Sequence, residues 1–374
     1  MNMDTKLVLQ KLISIKSFSG HEKEIQKYIF NYLKNNGLNP FCVCGNVVAK
    51  IPGKNTKRAV ILNAHVDTVS FGDKKLWHYT PLGGKIIGNK IFGLGASDEK
   101  AAVATILSLA TIYLKEKPEC DVWFSFVIDE EVDGSGTKHF TKWFSGKHLK
   151  KYKKVSAILG EPTGLDKIEI GHKGNIFIKT ISLGDSGHGS QPGKIKKHAI
   201  KLIYKLTVKL DHEAKIWAKK YKDELLGIPT VALTSISAGD IDSPNKFADS
   251  CTASFDIRTT PEIHKKAFGL IKQIAKKIDK KIKVEYLYPP APYGYTNKKA
   301  QIVQIAGTVT KTEIGTSSGS NDMCFFTEIG IPAIVLGPGK PSCIHKPNEY
   351  CELKKITKCK FIYKEIIRMF GGKL

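Results

Sequence analysis

Residues 101–128, AAVATILSLATIYLKEKPECDVWFSFVI, change periodicity in mid-course. The opening AAVATILSLATIYLK is a helix-length apolar run. The closing VWFSFVI (122–128) is short, branched and aromatic, the composition of a strand buried on both faces. AVILNA (59–64) has the same character, so strand, helix and strand follow in order. A strand that returns parallel to its predecessor needs such a crossover. The expectation is an α/β fold, a mostly parallel sheet with helices on both faces. VSAILG (155–160) and IPAIVLG (331–337) supply further buried strands. EKEIQKYIFNYLKNN (22–36), with Gly37 beyond its last turn, supplies an amphipathic helix.

Each strand runs into polar residues. AVILNA leads to His65 and Asp67, VWFSFVI to Asp129, Glu130, Glu131 and Asp133, VSAILG to Glu161, and IPAIVLG through Gly-Pro-Gly to His345. Asp98 stands in GLGASDEKAAV, just before the long helix. Ligands of open α/β sheets lie beyond the carboxyl ends of the strands. His65, Asp98, Glu131, Glu161 and His345 therefore converge on one edge as candidate metal ligands. Carboxylates crowded in this way repel one another, and burying one costs on the order of several kcal/mol unless a cation or a set of donors meets it. A neighbouring lysine or a solvated loop would answer for any one of them; a bound metal answers for all. Asp67, two residues past His65, is placed to hydrogen-bond a ligand imidazole and fix its tautomer.

The formal net charge is +24, and Arg58, Arg258 and Arg368 are the only arginines among 59 basic residues. Two readings stay open: a lysine-biased composition, or attraction of an anionic macromolecule. A length of 374 residues suggests two domains, and 41% hydrophobic with 25% charged residues describes a soluble globular protein. MNMDTKLVLQKLISIK lacks the apolar core of an export signal, and nothing later approaches the ~18 residues of a membrane span. A cytoplasmic location with no membrane or nucleic-acid partner is expected. Eight scattered cysteines without a CxxC pair read as free thiols in a reducing compartment.

From Asn175 to Leu287 the order is strand (NIFIKTISL), basic helix (194–220), strand (TVALTSIS), strand (CTASFDIR), helix (261–279) and strand (KIKVEYL). That βαββαβ layout forms a domain by itself. Thr260 as N-cap and Pro261 in the first turn start its second helix. PPAPY (289–293) returns the chain, giving 1–174 and 288–374 as one domain with 175–287 inserted.

SFSGHEKEI, AHVDTV, GLGASDEKAA, DEEVDGSGT, GEPTG, GHKG, SGHGSQP, FDIRTTP and GPG followed by HKPNEY occur in this order over almost the whole chain. The set resembles the M20 metallopeptidases, a family of dinuclear zinc aminoacylases and exopeptidases. It is most similar to the branch of acetylornithine deacetylase, succinyl-diaminopimelate desuccinylase and carrier-lysine hydrolase. The resemblance implies one metal at His65, Asp98 and Glu161 and a second at Asp98, Glu131 and His345, with Asp98 bridging and Glu130 as general base. It also implies a cis peptide between Asp98 and Glu99. Two zinc ions per subunit suit such nitrogen and oxygen donors, and cobalt or manganese would be accepted. The inserted domain becomes a ferredoxin-like lid that also forms a homodimer, across which His188 steadies the oxyanion. Arg258, Asn245 and the loop GTSSGSND (315–322), with Ser317, Ser318 and Gly319, become substrate-binding. Leu94 and Ala101 depart from the family pattern at positions that are not ligands.

The expected function is a metal-dependent amidohydrolase that removes an acyl group from the amino group of an amino acid or diamino acid. Its substrate is a small N-acyl amino acid or an amino acid held on a small acidic carrier protein. A di- or tripeptidase is the alternative within the enzyme class. A non-catalytic protein that binds an acidic partner would explain the charge, but not the ligand set together with Glu130.

Overall fold

The computed structural model describes residues 4–317 and 319–372. The chain forms two compact units: one takes the chain up to Gly171 and resumes at Gly294, and the other is built from His172–Tyr293. The second is thus somewhat wider than the 175–287 expected from sequence.

The first unit holds an eight-stranded sheet in the order Phe41–Val43, Asn46–Ile51, Cys120–Val127, Asn55–His65, Lys154–Pro162, Ala333–Gly337, Lys167–Glu169, Glu313–Gly315. The four strands from Cys120–Val127 to Ala333–Gly337 pair in parallel. The hairpin Phe41–Val43/Asn46–Ile51 adds antiparallel strands at one side. Register sets the site: His65 lies opposite Val127, Asn63 opposite Leu159, and Gly337 opposite Pro162. The carboxyl ends of the four strands therefore lie side by side.

Alternate residues of these strands face opposite layers. Ala59, Ile61, Trp123, Ala157, Leu159 and Val335 pack on one face with Phe140 and Phe144 of the helix Ser135–Lys147 and with Met323 and Phe326 of Met323–Glu328. Val60 and Leu62 point the other way, where the helices Lys100–Tyr113 and Leu353–Gly371 lie against the same strand. Both faces are covered, which is why the strands read as unbroken apolar runs. Phe124 and Phe126 are fully buried, each worth roughly 1.5–3 kcal/mol in area removed from water. The helix Lys100–Tyr113 approaches the sheet so closely that a Cβ at Gly160 would lie 2.3 Å from the Cβ of Ala102.

The second unit has a four-stranded antiparallel sheet in the order Thr230–Ala238, Ser250–Thr259, Gly174–Leu183, Lys283–Tyr286. With chain order βαββαβ this is the ferredoxin-like arrangement. Ile176, Ile178, Phe255 and Ile257 bury one face against Ile203 and Leu206 of Ala199–Lys220 and Ile263 and Ile271 of Pro261–Ile278. The first of these helices begins at Ala199 rather than 194: a 3-10 turn, Pro192–Lys194, comes first, and the N–H groups of Lys196 and Lys197 then donate to the Asp185 carboxylate. Pro261 occupies the first turn as expected, but the Thr260 hydroxyl does not cap the helix. It is buried, and donates instead to the carbonyl of Tyr221 at 2.7 Å, where the preceding helix leaves a carbonyl to be satisfied.

Candidate metal centre

His65 ends its strand, Glu161 lies in the final residues of Lys154–Pro162, and Glu131 and His345 stand on the loops beyond Cys120–Val127 and Ala333–Gly337. Asp98 precedes the helix Lys100–Tyr113 and is joined to Glu99 by a cis peptide. The two oxygens of Asp98 are shared between two imidazoles. Oδ1 is 3.0 Å from His65 Nε2 and Oδ2 is 3.4 Å from His345 Nε2. His345 Nε2 also lies 2.9 Å from Glu131 Oε1, and His65 Nε2 lies 4.0 Å from Glu161 Oε1. All five candidate ligands are thus brought together. Donor atoms of His65, Asp98 and Glu131 lie within 4.8 Å of one another, as do those of His65, Glu130 and Glu161. Glu130 therefore joins the cluster on the His65–Glu161 side, while Glu131 joins it on the His345 side.

Buried carboxylates outside that cluster hold its backbone. Asp67 Oδ1 accepts the N–H of Glu130 (3.2 Å), and Oδ2 accepts the N–H of Glu131 (3.1 Å) and the hydroxyl of Ser19 (2.8 Å). His65 Nδ1 is nearer the backbone carbonyl of Asp67, at 3.1 Å, than its carboxylate, at 3.4 Å. The Asp67 carboxylate thus stays beside the imidazole as expected, and the Asp67 carbonyl joins it at the same ring nitrogen. The carbonyl, a pure acceptor, requires the proton on Nδ1 and leaves Nε2 for a metal, and the carboxylate holds the acidic loop. Glu22 Oε1 accepts the N–H of Gly20 (2.9 Å) and of Asp129 (3.4 Å), whose φ of 59° turns the loop. Glu349 accepts three N–H groups from the segment that carries Asp98: Gly95 (2.9 Å), Ser97 (2.7 Å) and Asp98 (3.0 Å). Glu99 accepts the N–H of His65 through one oxygen, and its other oxygen is buried without a partner among the described residues.

The electrostatics are those of a donor set short of positive charge. Burial, and then the Glu161 carboxylate, push Glu130 well above the usual range; burial, and then Glu99 and Asp98, do the same to Glu161. Asp98 is buried too, yet hydrogen bonds from His345 and His65 hold it low. Donating to Asp98 and to Glu131 raises His345 to about 10. Among the described residues no lysine or arginine is ion-paired with Asp98, Glu131 or Glu161, whose partners are the two imidazoles. Crowded carboxylate oxygens and imidazole nitrogens in two adjoining groups fit two divalent cations.

The residues proposed for substrate fare differently. His188 and Asn245 are exposed on neighbouring segments of the second unit: the N–H of Gly189 donates to the carbonyl of Asn245, and His188 bridges Lys246. His188 Nδ1 accepts the N–H of Ser190 at 3.2 Å. Arg258 does not present a free fork. Its Nε and Nη2 grip Asp256 at 2.8 and 3.0 Å, because the two residues are on one face of the same strand. Ser317 does not offer its N–H either, since this group donates to the carbonyl of Gly171 at 2.8 Å. Gly319 has open space around it, and Ser318 lies outside the described residues.

Sequence reasoning did not single out Glu22, Glu99, Lys100, Asp322 or Glu349. Burial pushes Asp322 up to about 7, its Oδ2 has no partner among the described residues, and Lys100 is fully buried with Nζ donating to the carbonyl of Ile15 at 2.9 Å. The available signal was membership of Glu22, Glu99, Lys100 and Glu349 in the motifs around the ligands.

The acetylornithine deacetylase of Buchnera aphidicola subsp. Schizaphis graminum (strain Sg) is 29% identical to the chain over 84% of it and 81% of the relative. Among solved structures, an M20 family metallo-carboxypeptidase, Sso-CP2 from Sulfolobus solfataricus, superposes with a TM-score of 0.78 at 20% identity, covering 99% of this chain and 100% of that one. The YXEP protein of Bacillus subtilis, a dinuclear metal-binding peptidase, gives 0.72 at 16% identity, over 98% and 96%. The description of Peptidase family M20/M25/M40 matches residues 61–369, a span that starts just before His65 and takes in the other four ligand candidates and Glu130. By that match, over most of its length and through every residue of the cluster, the chain belongs to peptidase family M20/M25/M40.

Proposed function

We propose that this protein is a dinuclear zinc amidohydrolase that removes the acyl group from the amino group of an amino acid or diamino acid. The observation that carries the reading is that two consecutive residues enter different donor groups: Glu131 lies with His65 and Asp98 and touches His345, and Glu130 lies with His65 and Glu161. His65, Asp98 and Glu161 would hold one ion and Asp98, Glu131 and His345 the other. Bound there, two divalent ions polarise an amide carbonyl and lower the pKa of a water. Glu130, a base that need not be a ligand, takes the proton of the attacking water on its carboxylate and delivers it to the leaving amine nitrogen. Asp67 holds the backbone of both glutamates through their N–H groups. Cobalt or manganese would suit the same oxygen and nitrogen donors.

The inserted unit serves in this reading as lid and dimerisation domain. Thr230–Ala238 is the outer strand of its sheet and is exposed along almost its whole length, including Leu233 and Ile236. Beside it the helix Ala199–Lys220 exposes Ile200, Tyr204 and Val208, four residues apart. An unpaired edge next to an apolar stripe supports pairing with a second copy. His188 would then act across the dimer on the oxyanion, and Asn245 would donate to substrate. Arg258 would join them only by exchanging Asp256 for a substrate carboxylate.

Eight cysteines, all free thiols, support a cytoplasmic setting, and no described helix is long and apolar enough to cross a membrane. Deacetylase activity in the named relative favours a small N-acyl amino acid, while the charge of +24 leaves an acidic carrier protein as a second substrate class. The test is a hydrolysis screen with added zinc over N-acetyl and N-succinyl amino acids, carrier-linked lysine or ornithine, and di- and tripeptides. Turnover of the acylated amino acids or the carrier-linked substrate supports the reading. Cleavage of peptides alone replaces it with a di- or tripeptidase.

A further inference from the structure

Glu349 lies four residues beyond His345 in the motif HKPNEY, and the reaction outlined above gives it nothing to do. Its side chain is nevertheless 1% exposed, which for an acid demands compensation. Backbone supplies part of it: Oε2 accepts the N–H of Gly95, and Oε1 accepts those of Ser97 and Asp98, although burial still raises the acid to about 7. The segment held in this way is the one that presents Asp98, the residue with one oxygen toward each histidine. Around it Ser97 is fastened as well, its hydroxyl donating to the carbonyl of Tyr350 at 2.7 Å. One short stretch, 345–350, therefore supplies a candidate ligand and two anchors for another ligand about 250 residues earlier in the chain.

We propose that Glu349 is a positioning residue for the metal pair: its carboxylate sets the orientation of the bridging Asp98 and couples it to the His345 loop. The physical reason is the geometry of a bridge. An aspartate shared by two cations must present both oxygens at a fixed angle, and its own side chain has two rotatable bonds to lose. Fixing the backbone N–H of Asp98 and of the residues before it sets the direction in which that side chain leaves the backbone before metal arrives, so that only its two torsions are left for His65 and His345 to settle. A carboxylate is suited to the task because it accepts on both oxygens. An amide accepts on one only, and turns an N–H₂ donor toward either Gly95 or the Ser97–Asp98 pair.

The inference rests on the reading of the cluster as a metal centre, but not on which amide is cleaved. The experiment is a titration of metal-free wild type and Glu349→Gln with Co(II) alone, followed by visible absorption, with far-UV circular dichroism as the check on folding. A folded Glu349→Gln should bind Co(II) about ten- to a hundredfold more weakly and show displaced absorption bands. With metal saturating, kcat should fall while KM stays near the wild-type value. Equal affinity and identical bands in a folded variant would overturn the role of Glu349 and leave the metal centre standing. Failure of the wild type to bind Co(II) would overturn both. Should the variant not fold, hydrogen exchange of the wild-type segment 93–98 takes its place. Its amides should be protected in metal-free protein as in loaded protein, and fast exchange without metal would overturn the proposal.

Discussion

The carboxylate of Asp67 accepts the backbone N–H of Glu130 at 3.2 Å, and its second oxygen takes the N–H of the next residue at 3.1 Å. A single buried side chain thus holds the backbone of two consecutive glutamates that enter different donor groups. Asp67→Ala would strand both N–H groups and the Ser19 hydroxyl. We expect a folded protein with metal affinity reduced about ten- to a hundredfold and a larger loss in kcat, because the base is displaced along with the ligand. Metal titration beside steady-state kinetics checks this; an intact kcat at saturating metal would remove Asp67 from the role.

The proton inventory of the cluster gives a pH dependence with a definite sign. In the metal-free protein the hydrogen bonds that His345 donates to Asp98 and Glu131 raise it to about 10, so it keeps its proton across the neutral range. A metal must displace that proton. Affinity should therefore rise with pH between 6 and 8, by about tenfold per pH unit for each proton displaced. Calorimetry in buffers of different ionisation enthalpy should register proton release. Uptake of protons, or an affinity that ignores pH, would contradict the assignment of His345 as a ligand.

How much of this was legible beforehand follows from what each feature depends on. The central strands were readable because burial on both faces leaves an unbroken apolar run, as in VWFSFVI, and the ligands were readable because they follow those runs directly. The hairpin Phe41–Val43/Asn46–Ile51 escaped the coarse reading, since edge strands are short and lack that continuous signal. Glu349, Glu22 and Glu99 escaped for a different reason. A carboxylate that binds backbone N–H groups has partners of no particular residue type, so nothing in the sequence names them. Arg258 shows the converse: the chemistry of a bidentate grip was right, but Asp256, two residues earlier and so on the same face, was the partner to consider.

Gly134 tests the packing beneath the acidic loop. Its φ is 65°, and a Cβ there would lie 2.4 Å from the Phe325 ring and 2.5 Å from Asp322 Oδ1. Gly134→Ala should cost about 1–3 kcal/mol in chemical denaturation, from overpacking in a left-handed backbone. A neutral result would mean that the loop yields freely, and would weaken the account of how Glu130 and Glu131 are held.

The trans action of His188 can be tested by mixing. Neither His188→Ala nor Glu130→Gln should turn over alone. Hybrid dimers would contain one site with both native residues and should recover measurable activity. Absence of recovery after confirmed subunit exchange would place His188 in cis or outside the reaction.

The most direct measurement is made on Glu130→Gln, with metal content and turnover determined on the same preparation. An amide at this position cannot accept the proton of the attacking water, while His65, Asp98, Glu131, Glu161 and His345 are untouched. The variant should bind its metals as the wild type does and lose nearly all of kcat. If instead it holds the metals and retains more than a few per cent of the wild-type kcat, Glu130 is not the base and the division of labour between the two glutamates is wrong.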